Sequence, residues 1–239
     1  MKLLVASDLH YRLKQFDWLV QQAQYFDAVA IVGDVLDISS ALDLDVQILV
    51  IKRYLDRISA ESPLLICSGN HDGNAKNDAD EFIAPWLQEA RRPRLHVDGD
   101  SVLFGSLLVT VFPWWDGPVT RQEVEQQFER ASRMTFDRWL WLYHAPPDQS
   151  PTSWAGKRFI GDAELNRWIE QYRPDVVLSG HIHQSPFKPD GSWVDQIGRT
   201  WVFNAGSYAG DIPPHIVLDL DAMQADWYSL AGNESRTLD

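Results

Sequence analysis

Short apolar runs ending in small or polar residues recur along the chain, and amphipathic stretches separate them. Residues 2–6, 28–32 and 64–67 are almost continuously apolar, the pattern of strands buried on both faces. Between them Phe16, Leu19, Val20 and Ala23 keep the i, i+3, i+4, i+7 spacing that predicts a helix over 12–26. A second helix is predicted over 43–60, its end marked by Pro63, so the chain opens as βαβαβ. Further on, the pattern predicts an acidic helix at 78–91, then strands near 94–97, 101–104 and 107–112 as a meander, and a helix at 120–133. A strand at 139–143, a helix at 162–172 with Leu165, Trp168, Ile169 and Tyr172 on one face, and a strand at 175–179 come next. Strands near 193–196, 200–204 and 215–220, with a fourth at 225–230, are expected to build a second sheet. The expected fold class is α/β, a four-layer α/β/β/α sandwich of two mixed β-sheets flanked by helices.

Composition narrows the class without changing this picture. The chain has 239 residues, 45% apolar and 23% charged, enough for a substantial core. No linker, low-complexity tract or repeat divides it, and one domain over 1–239 is expected. The apolar segment at residues 1–6 is too short for a leader or a membrane span. Cys67 is the only cysteine, so no intramolecular disulfide can form; a buried thiol in a reducing, cytoplasmic setting is expected. The net charge of −13 and the lack of a long basic run argue against a duplex nucleic acid partner. The one basic cluster, Arg91-Arg92-Pro93-Arg94, reads as a solvated helix end.

The residues just beyond each apolar run change the picture. Asp8 and His10 come after the first, Asp34 after the second, Asn70 and His71 after the third, His144 after 139–143, and His181 and His183 after 175–179. Ligands in loops at strand ends are where α/β folds build sites, so five strand ends should converge on one pocket. Carboxylate, amide and imidazole donors without thiolate suit Mn, Fe, Zn or Co better than Ca. His96 and His215 lie outside these motifs and read as structural. Asp72 reads as structural, a cap for the following helix, and Asn204 as either a turn residue or a neighbour of the site.

The ordered series Asp-x-His, Gly-Asp-x-x-Asp, Gly-Asn-His-Asp, a lone His and Gly-His-x-His resembles the calcineurin-like metallophosphoesterases over residues 8–207. The resemblance implies that family's fold and two divalent ions, Mn favoured with Fe, Zn or Co also suited. It implies that Asp8, His10 and His183 hold one ion, that Asn70, His144 and His181 hold the other, and that Asp34 bridges them. A shared carboxylate and hydroxide let two cations sit about 3.5–4 Å apart and polarise one phosphoryl group. Gly180 is expected to let His181 and His183 face different ions. His71 matches the position that assists the leaving oxygen, and Asp37 the position that accepts its hydrogen bond. In the purple acid phosphatase branch a Tyr stands at that second position and binds iron, so Asp37 argues against that branch.

The implied reaction is hydrolysis of a phosphate ester by a metal-bridging hydroxide, with a small-molecule phosphodiester, such as a nucleotide-like one, as the expected substrate. A phosphomonoesterase or protein phosphatase is the rival enzyme. A binding scaffold with a disabled site, as in the retromer subunit that resembles this family, is the non-enzyme alternative. Specificity is expected in loops 73–93, 113–120 and 145–161. There Trp114 and Trp115 can wall a flat group, Trp154 flanks the site, and Lys157 and Arg158 read as solvated charges.

Overall fold

The computed structural model describes residues 1–238. The opening half alternates as expected: β1 (Lys2–Ala6), α1 (Leu13–Ala23), β2 (Ala28–Val32), α2 (Leu44–Glu61) and β3 (Leu64–Cys67). Then come β4 (Ala75–Lys76), β5 (Phe82–Ile83), α3 (Pro85–Glu89), β6 (Leu95–His96), β7 (Ser101–Phe104), β8 (Leu107–Val111) and α4 (Pro118–Ser132). The remainder is β9 (Arg138–Leu142), α5 (Ala163–Tyr172), β10 (Val176–Ser179), β11 (Val194–Ile197), β12 (Thr200–Asn204), β13 (His215–Asp219), β14 (Gln224–Ser229) and β15 (Gly232–Thr237). One sheet has seven strands in the order β15-β14-β13-β1-β2-β3-β6, the other six in the order β11-β12-β10-β9-β8-β7. Both are mixed. Parallel pairs fill their centres, such as β1 with β2 and β9 with β10, while antiparallel strands lie to one side or at the edges.

The apolar runs explain the layering. Strand side chains alternate between faces, so a run buried throughout must be covered twice. Leu3 and Val5 of β1 enter the core between the two sheets, with Ala30, Leu65 and Cys67. Leu4, Val29, Ile31, Leu64 and Ile66 point the other way, onto Phe16, Leu19, Ile51 and Leu55 of α1 and α2. The second sheet repeats this: Leu140, Leu142 and Leu178 face the inter-sheet core, while Trp139, Trp141 and Val177 meet Val124, Phe128 and Trp168 of α4 and α5. Three cores separate four layers, the predicted α/β/β/α sandwich.

Three expectations need correction. The helix predicted at 78–91 is a small hairpin, β4–β5, followed by the five-residue α3. Pro85 can start a helix but not lie inside one. The Asn77 side chain also turns the chain by accepting from Ala79 and Glu81 N–H at 2.9 and 3.0 Å. Buried Glu81 is drawn instead to the start of α4, where it accepts from Val119 and Thr120 N–H at 2.9 and 2.7 Å. Next, the meander does not form: β6 pairs with β3 in the first sheet, and β7 and β8 belong to the second. The crossing runs through Gly99 at φ +87°, with Asp100 accepting from Val97 N–H at 2.9 Å. Last, only β11 and β12 of the terminal strands join the second sheet; β13 and β14 return to the first, where β13 pairs with β1.

Asp98 in that crossing is buried and accepts from Ser68 N–H at 2.8 Å. Burial pushes its carboxyl up to about 7, outweighing the hydrogen bonds from Ser68. A carboxyl raised on folding binds more protons folded than unfolded, so its contribution declines as pH rises from about 4 through 7. Asp98→Asn, which keeps the acceptor, should therefore gain stability relative to the parent between pH 5 and pH 8, on the order of 1–2 kcal/mol. Urea unfolding at the two pH values measures it, and a pH-independent difference refutes it.

Candidate metal centre

The loops after β1, β2, β3, β9 and β10 meet at one end of the two sheets and bring together the donor side chains named from the sequence. Asp8, His10, Asp34 and His183 form one cluster of donor atoms, and Asp34, His144 and His181 form another; in each, all donors lie within 4.8 Å of one another. Asp34 belongs to both. His144 Nε2 lies 3.3 Å from Asp34 Oδ2, and His183 Nε2 lies 3.3 Å from Asp8 Oδ1. Asn70 Oδ1 sits 2.8 Å from His181 Nδ1, which attaches it to the second cluster. Asp8 is fully buried, and Asp34 is 1% exposed.

The local backbone is bent to make this convergence. Asp8, His10, Asp34 and His181 all take left-handed φ values, +54°, +43°, +53° and +64°. Such conformations cost on the order of 1–3 kcal/mol each in non-glycine residues and persist only where the surroundings hold them. The turn expected at Gly180 falls on His181 instead. Gly180 matters because it lacks a side chain: a Cβ there would sit 2.6 Å from Asp8 Oδ2 and 2.7 Å from Ser7 Cβ. A Cβ at Gly69 would strike the Asp34 carboxylate and approach His144 Nε2 at 2.7 Å.

Buried side chains beneath these loops hold them. Asp72 accepts from Asp34 and Gly69 N–H at 2.8 Å, and from Val35 and Leu36 N–H at 3.0 Å. Its role is structural, as read from the sequence, but it anchors the Asp34 loop rather than capping a helix. Asn204 donates to the Gly180 and Ile182 carbonyls at 3.0 and 3.1 Å and so fixes the Gly-His-x-His loop. Arg12 and Ser207 escaped the sequence reading: Arg12 Nη1 and Ser207 Oγ both donate to the Asp8 carbonyl, at 3.1 and 2.8 Å. Arg12 stands two residues after His10, and Ser207 closes the segment that begins at Asn204. Only that adjacency marked them.

Electrostatics separate the histidines. Burial pushes His10 and His181 down to about 4, so both are neutral at pH 7 and can donate a lone pair. Burial also lowers His144, but the nearby charges of Asp34 and Asp8 outweigh that and raise it to about 10. Burial likewise raises the Asp34 carboxyl, yet His144 and the His71 N–H hold it below the ordinary carboxylate range. Asp8 is held low against burial by His183 and His144.

The donor set fits a pair of cations. His10 Nε2 and His183 Nε2 face each other at 2.9 Å, and the buried His144 Nε2 has no hydrogen-bond partner. Two buried carboxylates surrounded by imidazoles require positive charge, and neutral imidazoles must yield a lone pair to something.

His71 adjoins the first cluster, its ring 4.6 Å from that of His10. Its backbone N–H donates to Asp34 Oδ1 at 2.8 Å, and its Nδ1 meets the Ile38 N–H at 3.4 Å. Asp37 lies within 4.8 Å of His71 and His10 but does not make the expected hydrogen bond to the His71 ring. Its Oδ1 accepts from Ser39 N–H at 2.9 Å, because the loop after Asp34 turns there. His96 packs on Phe104, and His215 lies between Trp18 and Tyr228, both away from the cluster. Trp114 packs against His144 and His181, with ring centroids 5.7 and 5.5 Å apart, and with Trp115 lines a cavity of about 300 Å³ beside His181. Trp154 instead packs on Phe159, and Lys157 and Arg158 are exposed; none of the three lines that cavity.

Two stacked mixed sheets thus carry, at their strand ends, a cluster of possible metal ligands that shares one carboxylate. The family model described as calcineurin-like phosphoesterase matches residues 1–185, and the chain belongs to that family. No curated protein sequence matches it. Solved structures agree on the fold. The TT1561 protein of Thermus thermophilus superposes with a TM-score of 0.61 at 16% identity, covering 100% of this chain and 99% of its own. Purple acid phosphatase PPD1 from yellow lupin (Lupinus luteus) seeds gives 0.60 at 13%, covering 100% and 51%. GAP50, the anchor in the inner membrane complex of Plasmodium, gives 0.57 at 11%, covering 100% and 88%. At these identities the likeness concerns the fold alone. Among the described residues no helix is long and apolar enough to cross a membrane.

Proposed function

We propose that the chain is a dinuclear metal-dependent phosphoesterase that hydrolyses a small-molecule phosphodiester. The observation that carries this reading is that two donor clusters share one carboxylate, Asp34. Asp8, His10 and His183 would hold one ion, Asn70, His144 and His181 the other, and Asp34 would serve both. When bound, two divalent ions, Mn or a related metal, supply Lewis acidity and a water acidic enough to act as nucleophile near neutral pH. The remaining chemistry is the chain's own. With Nδ1 of His71 accepting from the Ile38 N–H, the ring presents Nε2–H, which can donate a hydrogen bond to the departing oxygen and stabilise its developing charge. Asp37 is pinned by Gln47, which accepts from its N–H at 2.9 Å and donates to its carbonyl at 3.0 Å. Its carboxylate lies beside the His71 ring, within 4.8 Å of a ring nitrogen. The free, buried Cys67 suits a reducing compartment such as the cytoplasm.

The test is hydrolysis of bis-p-nitrophenyl phosphate beside p-nitrophenyl phosphate by metal-stripped protein resupplied with Mn. Diester turnover that requires Mn and disappears in Asp34→Asn is the expected result. A monoester preference would replace the diesterase by a monoesterase or protein phosphatase. No turnover with both ions bound would turn the reading towards a binding scaffold. His71→Ala should retain its metal and lose about 10²–10³-fold in kcat with alkyl leaving groups, but much less with p-nitrophenolate, which needs no proton. An equal loss with both leaving groups would remove His71 from the acid role.

A further inference from the structure

The cavity beside His181 is built from unlike parts. Trp114, Trp115 and Ile160 give it apolar walls, while Asp116 and Asp162 add two carboxylates. Asp162 accepts from Tyr143 Oη–H, from Trp115 Nε1–H at 3.2 Å and from Glu164 N–H at 2.8 Å. Asp116 accepts from Phe82 N–H at 2.9 Å through one oxygen. Among the described residues neither carboxylate makes an ion pair. Arg121, 5.9 Å from the Trp115 ring, is instead paired with Glu164 at 3.4 Å. Two carboxylates without a cation, beside two indoles, therefore line the space next to the phosphate end of the site.

These walls discriminate among substituents. A further phosphate would meet two like charges. A nucleobase could use the indoles but would leave both carboxylates partly desolvated against a neutral ring. An ammonium group uses both features, because a cation is attracted by indole faces and by carboxylates alike. The phosphate would meanwhile lie towards the histidines, so the two ends of such an ester match two regions of opposite character.

We propose that this cavity binds the organic substituent of the substrate and selects a cationic, ammonium-bearing one, such as a choline-like or ethanolamine-like phosphate ester. The inference rests on the proposed function only for the phosphate end.

The experiment is calorimetric titration of Mn-loaded protein with phosphocholine, with 3,3-dimethylbutyl phosphate, the isostere in which an uncharged tert-butyl group replaces the ammonium, and with adenosine 5′-monophosphate. Phosphocholine should bind about tenfold more tightly than the isostere. Asp116→Asn, which keeps an acceptor for Phe82 N–H, should erase most of that margin. Ile160→Arg, at a position 39% exposed and so tolerant of a long side chain, should reverse the order. Equal binding of the two isosteres, a margin untouched by both variants, or tighter binding of adenosine 5′-monophosphate would each overturn the proposal, the last in favour of a base-stacking pocket. Bis-p-nitrophenyl phosphate turnover, measured in parallel, reads the hydrolase assignment separately. Its absence with the margin intact would reject hydrolysis and leave the cation-selective cavity standing.

Discussion

Asp34→Asn should lower diester turnover on the order of 10³-fold and leave the protein unable to hold its second ion. The amide keeps the shape and can still accept from the His71 N–H, which now meets Asp34 Oδ1 at 2.8 Å. What it loses is the negative charge that both clusters share, and with it the several kcal/mol of charge stabilisation that closely paired cations can contribute to phosphoryl transfer. Metal analysis after dialysis should show the stoichiometry falling below two per chain. Retention of two ions with full activity would mean that Asp34 does not bridge. The stripped protein offers an independent check. His144, raised to about 10 chiefly by Asp34 against its burial, contributes stability that is fully present below its unfolded pKa of 6.5 and is lost as pH rises through about 10. Stripped Asp34→Asn should therefore melt below the stripped parent at pH 6, and the gap should narrow by pH 10.

Much of this site was legible because each donor directly follows a run that can only be a doubly covered strand. Residues 28–32 and 64–67 are buried at every position, and such strands bring their ends, with Asp34 and Asn70, to one edge of a sheet. Alternation tells which residues face inward, however, and not which sheet receives them. Residues 215–219 would bury Ile216 and Leu218 in either sheet, and their pairing with Leu3 to Val5 is a long-range choice that no local pattern announces. β15, Gly-Asn-Glu-Ser-Arg-Thr, is exposed throughout and carries no apolar signal; it is held by its ladder to β14 and by Trp193 Nε1–H donating to Glu234 at 2.8 Å. The hairpin at 75–83 depends on Glu81 reaching Thr120, 39 residues away. Within the site, side-chain identities survived better than their hydrogen bonds. Asp37 reached the neighbourhood of His71 without bonding to it, and the left-handed turn moved from Gly180 to His181.

The same distinction between ligand and support gives the second large effect. Asp72 touches no expected metal, yet Asp72→Ala should both unfold the protein more easily and empty the site. Its two oxygens accept four backbone N–H groups, three from the segment 34–36 and one from Gly69. All are buried, and each donor left without a partner costs about 1–3 kcal/mol. Water entering the gap would recover part of this, so a net loss on the order of 3–5 kcal/mol is expected. That is a large share of the roughly 5–15 kcal/mol by which such domains are stable. The φ of +53° at Asp34 makes the functional cost steeper, because a strained residue relaxes once its anchors go. Asp72→Asn separates the two consequences. Its side chain offers one acceptor oxygen and turns a donor towards N–H groups that are themselves donors, so it should fill the space but misplace the loop. Its metal affinity should fall with its stability, whereas Asp34→Asn should lose metal while the metal-free chain stays folded at neutral pH. Calorimetric unfolding of the stripped variants, followed by Mn titration of whichever remain folded, would show the contrast; a stable Asp72→Ala that binds two ions would refute the anchoring role.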